Sequence, residues 1–185
     1  VNGTLFFRGD DGSPHGRELW SSDGTTNGTA MVKDIYLGGG DSFPAELTDV
    51  NGTLFFHADD GSNGFELWKS NGTEIGTVMV KDIEPTGDST PSSFTNVNGT
   101  LFFAAYSSKL WKSDGTEMGT APVWDISLNY LDNLFNVNNT LFFTADQGGG
   151  RELWAYKVAP PAKPRPPLIL VHGFQGLANL DGNPN

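Results

Sequence analysis

Val50-Asn51-Gly52-Thr53-Leu54-Phe55-Phe56 is one of four copies of a single phrase in this chain. The same V-N-G-T-L-F-F string stands at Val1–Phe7 and Val97–Phe103, and returns as V-N-N-T-L-F-F at Val137–Phe143. Working outward, a second block, L-W, recurs at Leu19-Trp20, Leu67-Trp68, Leu110-Trp111 and Leu153-Trp154. It is followed by S-D-G-T at Ser22–Thr25 and Ser113–Thr116, and by S-N-G-T at Ser70–Thr73. A third block reads V-K-D-I at Val32–Ile35 and Val80–Ile83, and V-W-D-I at Val123–Ile126. Three blocks in fixed order define an internal repeat of roughly 40 to 50 residues, the period of a β-propeller blade.

Each unit divides into four short β segments. Segment a is Glu46–Val50, Ser93–Val97 and Asn133–Val137. Segment b opens with Thr4-Leu5-Phe6-Phe7 and its equivalents, c is the Glu-Leu-Trp stretch, and d is of the Met31–Ile35 type. Asn-Gly between a and b (Asn51-Gly52, Asn98-Gly99) is the strongest short hairpin signal. Asp-Gly after c reads as the same kind of turn toward d, both residues tolerating positive φ. Alternation sends Leu5 and Phe7 to one face and Phe6 to the other, so both faces need cover, which sheets stacked face to face provide. The expected fold is all-β: a β-propeller-like array of four-stranded antiparallel blades, four units and about 14 short strands. Unit 1 lacks segment a and unit 4 lacks segment d, which predicts unpaired sheet edges open to an added strand.

The pattern E-L-W-x-S-D-G-T-x-x-G-T, carried by Glu18–Thr29 and Glu66–Thr77, resembles the ELWxxDGT repeat family of bacterial and archaeal secreted or surface proteins. The resemblance covers Val1 to about Val158. It implies a propeller-like blade array outside the cell or on its surface, and no enzyme activity. Unit 3 departs from the pattern by shortening its b–c turn (Ala105–Lys109) and losing the Glu, and unit 4 has no S-D-G-T after Trp154.

Composition agrees with short strands and tight turns. The 185 residues include 24 glycines and 11 prolines, with 12% aromatic and 18% charged residues. A formal net charge of −11 argues against a nucleic-acid partner. No apolar run approaches the roughly 20 residues of a helical membrane span. Cys is absent, which excludes disulfides, thiolate zinc sites and cysteine nucleophiles. The chain opens on Val1 in mid-pattern, as expected of a processed chain or a piece of a longer one.

Beyond the repeat the material changes. The sequence divides into a repeat domain, 1–158, a stiff Pro-rich linker, 159–167 (A-P-P-A-K-P-R-P-P), and a C-terminal strand and tail, 168–185. The apolar run Leu168, Ile169, Leu170 and Val171 has the length of one strand and is expected to serve assembly, donated to a neighbouring copy. The rival reading folds it back onto unit 4. The phrase Pro166–Phe174, P-P-L-I-L-V-H-G-F, resembles the start of an α/β-hydrolase lipase domain, which would make the repeats an accessory or ligand-binding domain of a longer enzyme. That fold also needs a G-x-S-x-G nucleophile elbow, and the chain has none. No catalytic residue is therefore assigned.

The remaining candidates are weighed by residue type. N-x-[ST] glycosylation sequons occur at Asn2, Asn27, Asn51, Asn71, Asn98 and Asn138, all on expected turns. Asp10-Asp11-Gly12 and Asp59-Asp60-Gly61 offer oxygens to Ca²⁺ but lack the spacing of an EF-hand, so they read as turns, and no cofactor or metal is expected. Asp34, Asp82 and Asp125 read as turn caps. Trp20, Trp68, Trp111 and Trp154 read as core between blades rather than a sugar-stacking row. His15, His57 and His172 share no metal spacing and read as surface or turn residues. The function expected from the residues is an extracellular, non-enzymatic structural protein, glycan-bearing and self-associating head to tail into a homo-oligomer or filament; a stand-alone carbohydrate- or protein-binding propeller is a further rival.

Overall fold

The computed structural model describes residues 1–12, 14–106, 108–124 and 129–158. The linker 159–167, the run Leu168–Val171, His172 and Asp125 lie outside the described residues. Within them the chain is all-β with no helix, and its 14 strands form four antiparallel sheets in chain order.

Sheet 1 holds β1 (Leu5–Asp10), β2 (Arg17–Ser22) and β3 (Thr29–Lys33). Sheet 2 holds β4 (Ala45–Val50), β5 (Thr53–Asp59), β6 (Phe65–Ser70) and β7 (Val78–Lys81). Sheet 3 holds β8 (Ser92–Val97), β9 (Thr100–Ala105), β10 (Lys109–Ser113) and the two-residue β11 (Ala121–Pro122). Sheet 4 holds β12 (Asn129–Val137), β13 (Thr140–Asp146) and β14 (Arg151–Lys157). Every sheet is a meander in which each strand pairs with the next, so the a, b, c, d order of the sequence is the spatial order. As the uneven repeat predicts, sheet 1 has no a strand beyond the stub at Val1, and sheet 4 has no described d strand. Pro122 ends the pairing of β11 early, which an edge strand tolerates.

The a–b turns are of the expected kind. Asn51 and Gly52 have φ of 53° and 83°, and Asn98 and Gly99 of 53° and 79°, the paired positive values of a type I′ hairpin. Asp49, two residues upstream of Asn51, accepts the Gly52 N–H at 2.8 Å, and Asn96 does the same for Gly99 at 3.0 Å. Each a strand also carries a bulge, at Glu46, Ser93 and Asn133, where φ is again positive and the register slips by one residue.

The c–d link is not the two-residue turn that Asp-Gly suggests. It is a longer loop, Asp23–Gly28 in unit 1, and only Gly24 takes positive φ. Asp23 works through its side chain: Oδ1 accepts from the Thr25 N–H at 2.9 Å and the Thr25 hydroxyl at 2.7 Å. Thr25 Oγ1 in turn accepts from the Gly28 N–H, and the Thr29 hydroxyl donates to the Thr25 carbonyl. Asn71 and Asp114 organise identical networks in units 2 and 3. Each residue of S-[DN]-G-T-x-x-G-T therefore has a local structural task.

The sheets stack through one repeated interface. Sheet 1 contributes Leu19, Val32 and Ile35 against Leu54, Phe56, Ala58 and Trp68 of sheet 2. Sheet 2 turns Phe55, Leu67, Val80 and Ile83 toward Leu101, Phe103, Ala105 and Trp111 of sheet 3. Sheet 3 turns Phe102 and Leu110 toward Leu141, Phe143 and Ala145 of sheet 4, with Trp154 packed alongside. Phe–Trp pairs lie directly across b and c within each sheet, as Phe56–Trp68, Phe103–Trp111 and Phe143–Trp154. Trp68, Trp111 and Trp154 therefore take part in sheet packing, as expected, whereas Trp20 lies on the outer face of sheet 1, which no described sheet covers. No closure of the four sheets into a ring is present among the described residues.

Candidate interaction surfaces

Strand alternation and hairpin turns set where the chain can meet anything else. All six sequon asparagines are exposed, but their amides are not equivalent. Asn2 Nδ2 donates to the Gly52 carbonyl of the neighbouring turn at 3.3 Å. Asn51 packs so closely on the next turn that a Cβ on Gly99 would lie 2.4 Å from its Nδ2. A parallel ladder runs beside these, with Asn96 Nδ2 donating to the Asp49 carbonyl and Asn136 Nδ2 to the Asn96 carbonyl. Asn71 stands where Asp23 and Asp114 stand, and its Oδ1 holds the c–d loop, with a Gly76 Cβ site 2.5 Å from Nδ2. Asn71 is thus a working part of the repeated c–d loop as well as a sequon. The amides of Asn27, Asn98 and Asn138 make no hydrogen bond to a described residue.

The least expected polar feature is buried. Glu18 and Glu66 are 0% exposed. Glu18 accepts from the Ile35 and Tyr36 N–H groups and from the Ser42 hydroxyl at 2.9, 3.2 and 2.6 Å. Glu66 accepts from Ile83, Glu84 and Ser89 N–H groups and from the Ser89 hydroxyl. Each glutamate thereby ties its own c strand to the end of d and to the segment entering the next sheet. Burial raises both carboxyls above the ordinary glutamate value, against the opposing pull of these donors. Lys109 replaces this glutamate in unit 3, and Glu152 in unit 4 is exposed.

The other candidates resolve into local structure. Asp10 Oδ1 and Asp59 Oδ1 accept from the Gly12 and Gly61 N–H groups, both at 2.7 Å, and Asp60 accepts from Ser62 and Asn63. Among the described residues no group of three or more His, Asp or Glu side chains is placed to hold a metal ion. Asp34 accepts from the Gly38 N–H, but one oxygen of Asp34 and one of Asp82 are buried without a partner, which local turn capping does not explain. His15 pairs with Asp11 at 2.8 Å. His57 is not a surface residue: it is half-buried, with Nδ1 2.6 Å from the Pro91 carbonyl and its ring edge-on to Phe65. A shallow hollow of about 540 Å³ between sheets 3 and 4 is lined by Phe102, Lys112, Asp114 and Tyr156 among others.

Loop residues such as Leu37, Ile75 and Met118 are exposed along the stack, but within the strands the most exposed large apolar side chains lie in the two end sheets. Leu5 is 63% exposed, whereas its counterpart Leu54 is 2% exposed. Leu153 is 72% exposed, whereas its counterparts Leu19 and Leu67 are fully buried. The strings around these leucines are nearly identical, and the difference is that no described sheet faces Leu5 or Leu153. Phe135 and Val137 add exposed apolar surface on the outer face of sheet 4. No helix among the described residues is long and apolar enough to cross a membrane. No protein-family model matches the chain, and no curated protein matches it.

Proposed function

We propose that this chain is an extracellular or cell-surface structural subunit of the ELWxxDGT type, without catalytic activity, whose four sheets are blades of a propeller-like array. It self-associates head to tail, and glycans decorate its turns. The observation that carries this reading is the pair of end sheets, which among the described residues have no a strand and no d strand respectively and expose Leu5 and Leu153 at opposite ends of an otherwise repeated stack. The carboxylates and hydroxyls of the repeat fit the structural role, because they hold turns and tie each sheet to the segment entering the next.

In this reading Leu168–Val171 is the donated strand. The nine-residue linker 159–167 has a reach of about 28 Å at the polyproline rise of roughly 3.1 Å per residue. A strand added at a free edge supplies main-chain hydrogen bonds and side-chain burial together. Deleting residues 159–185 tests the strand. The truncated chain is expected to fold with an unchanged β-sheet circular dichroism spectrum and to lose its assemblies under negative stain. Assemblies of the same form from the truncated chain would remove the tail from the connector role.

A further inference from the structure

The three internal sheet–sheet interfaces are built alike, and each has two distinct halves. One half, on the face toward the following sheet, carries the middle Phe of b and the Leu of c, as Phe55 and Leu67 do in sheet 2. The other half, on the face toward the preceding sheet, carries Leu and Phe of b, a small residue and the Trp of c, as Leu54, Phe56, Ala58 and Trp68 do. Sheet 1 leaves the second half uncovered: Leu5 and Phe7 lie on its outer face, with Trp20 opposite Phe7 and Met31 opposite Trp20. On sheet 4 no described residue covers the first half, which Phe142 and Leu153 carry. The two ends of one molecule are thus the two complementary halves of an interface the molecule already makes three times.

One further residue marks the face of sheet 4 as apolar. The partner of Phe142 on strand a is Phe135, which is 62% exposed. In sheets 2 and 3 that register position is Thr48 and Thr95, opposite Phe55 and Phe102. The repeat has therefore exchanged a hydroxyl for an aromatic ring at a place that no described residue covers.

We infer that the occupant of each end face is a second copy of this chain, with the outer face of sheet 4 seated on the outer face of sheet 1 of the next molecule. This rests on the head-to-tail reading above and adds the surface on which copies meet. Leu153 takes the place of Leu19, Leu67 and Leu110, and seats against Leu5 and Phe7 of the neighbour as those leucines seat within the chain. The contact is heterologous, so successive copies extend a filament unless the rotation per copy happens to close a ring.

Leu153→Asp and Leu5→Asp each place a charge on one half of the contact, at a side chain exposed in the single chain, so folding is spared. Sedimentation velocity of the full chain, the two variants and their mixture reads the result. The full chain is expected to assemble, and each variant alone to need at least about tenfold higher concentration. An equimolar mixture forms a one-to-one pair, because each variant keeps the half that the other lacks. Ile75→Asp, on an exposed loop away from both faces, leaves assembly unchanged. If the full chain assembles and both variants assemble equally well, the end faces are not the contact, although the head-to-tail reading stands. If the full chain stays monomeric at all concentrations, the reading and the inference fall together.

Discussion

A carboxylate shielded from solvent is costly to keep charged, and Glu18 and Glu66 are both in that position. Their folded pKa lies above the ordinary value of 4.5 because burial outweighs the donors around them. Below that value both the folded and unfolded chains hold the proton, and the contribution is fully present. As pH rises through the raised folded value the unfolded chain binds fewer protons, and stability falls. Asp23 and Asp114 run the other way: the Thr25 and Thr116 hydroxyls and amides hold them below 3.8, so their contribution is lost as pH falls through that lower range. Urea midpoints are accordingly expected to be higher near pH 4.5 than at pH 7. The double variant Glu18→Gln, Glu66→Gln should flatten that slope, since Gln imitates the protonated acid; an unchanged slope would assign the effect to net charge alone. At the same scale, glycosylation in a competent host is expected at Asn27, Asn98 and Asn138 before Asn2, Asn51 and Asn71, whose amides are packed against a neighbour or held in a loop. Glycopeptide mapping reads the order. The sequons themselves were legible in the sequence, but the difference among them lies in the turn that each asparagine faces. Glu66 was hidden for a related reason. A charged residue in an alternating strand reads as solvent-facing, and the hydroxyl that justifies its burial, on Ser89, lies 23 residues further on.

The elements were more readable, because each is set by a short string. Asn51-Gly52 gave away a type I′ hairpin, and Leu, Phe and Trp alternation placed the strands. The c–d loop was misread as a hairpin, since Asp-Gly signals a turn in either case while the deciding side-chain bonds reach to Gly28 and Thr29. A sharp prediction follows from comparing Gly76 of that loop with Gly87 of the link from β7 to β8, neither of which has positive φ. A Cβ on Gly76 would lie 2.0 Å from Asn71 Oδ1, and a Cβ on Gly87 would meet nothing within 4 Å. Gly76→Ala is expected to cost about 1–3 kcal/mol, the usual range for forced overpacking. Gly87→Ala is expected to be neutral or slightly stabilising through the unfolded chain. Chemical denaturation separates them; equal midpoints would show that the loop yields freely around Asn71.

At the scale of the whole molecule the same local string has two fates. Leu54 is buried and Leu5 is not, and nothing in V-N-G-T-L-F-F distinguishes them. Only the order of sheets does, which the repeat count and the missing a and d segments already indicated. What those counts left open was the pairing of faces, because complementarity between the ends is a property of three stacked interfaces rather than of any one segment. On the reading proposed above, the end faces of this stack are covered by copies of the chain. Amide hydrogen exchange measured across a concentration series tests it most directly. In dilute solution β5, β6, β9 and β10, in the two sheets covered on both faces, should exchange slowest, and β1 and β14 fastest. With rising concentration residues 5–10 and 151–157 should gain protection together while the inner strands stay as they were. Exchange in β1 and β14 that is equally fast at every concentration, under conditions where the inner strands remain protected, would contradict the account.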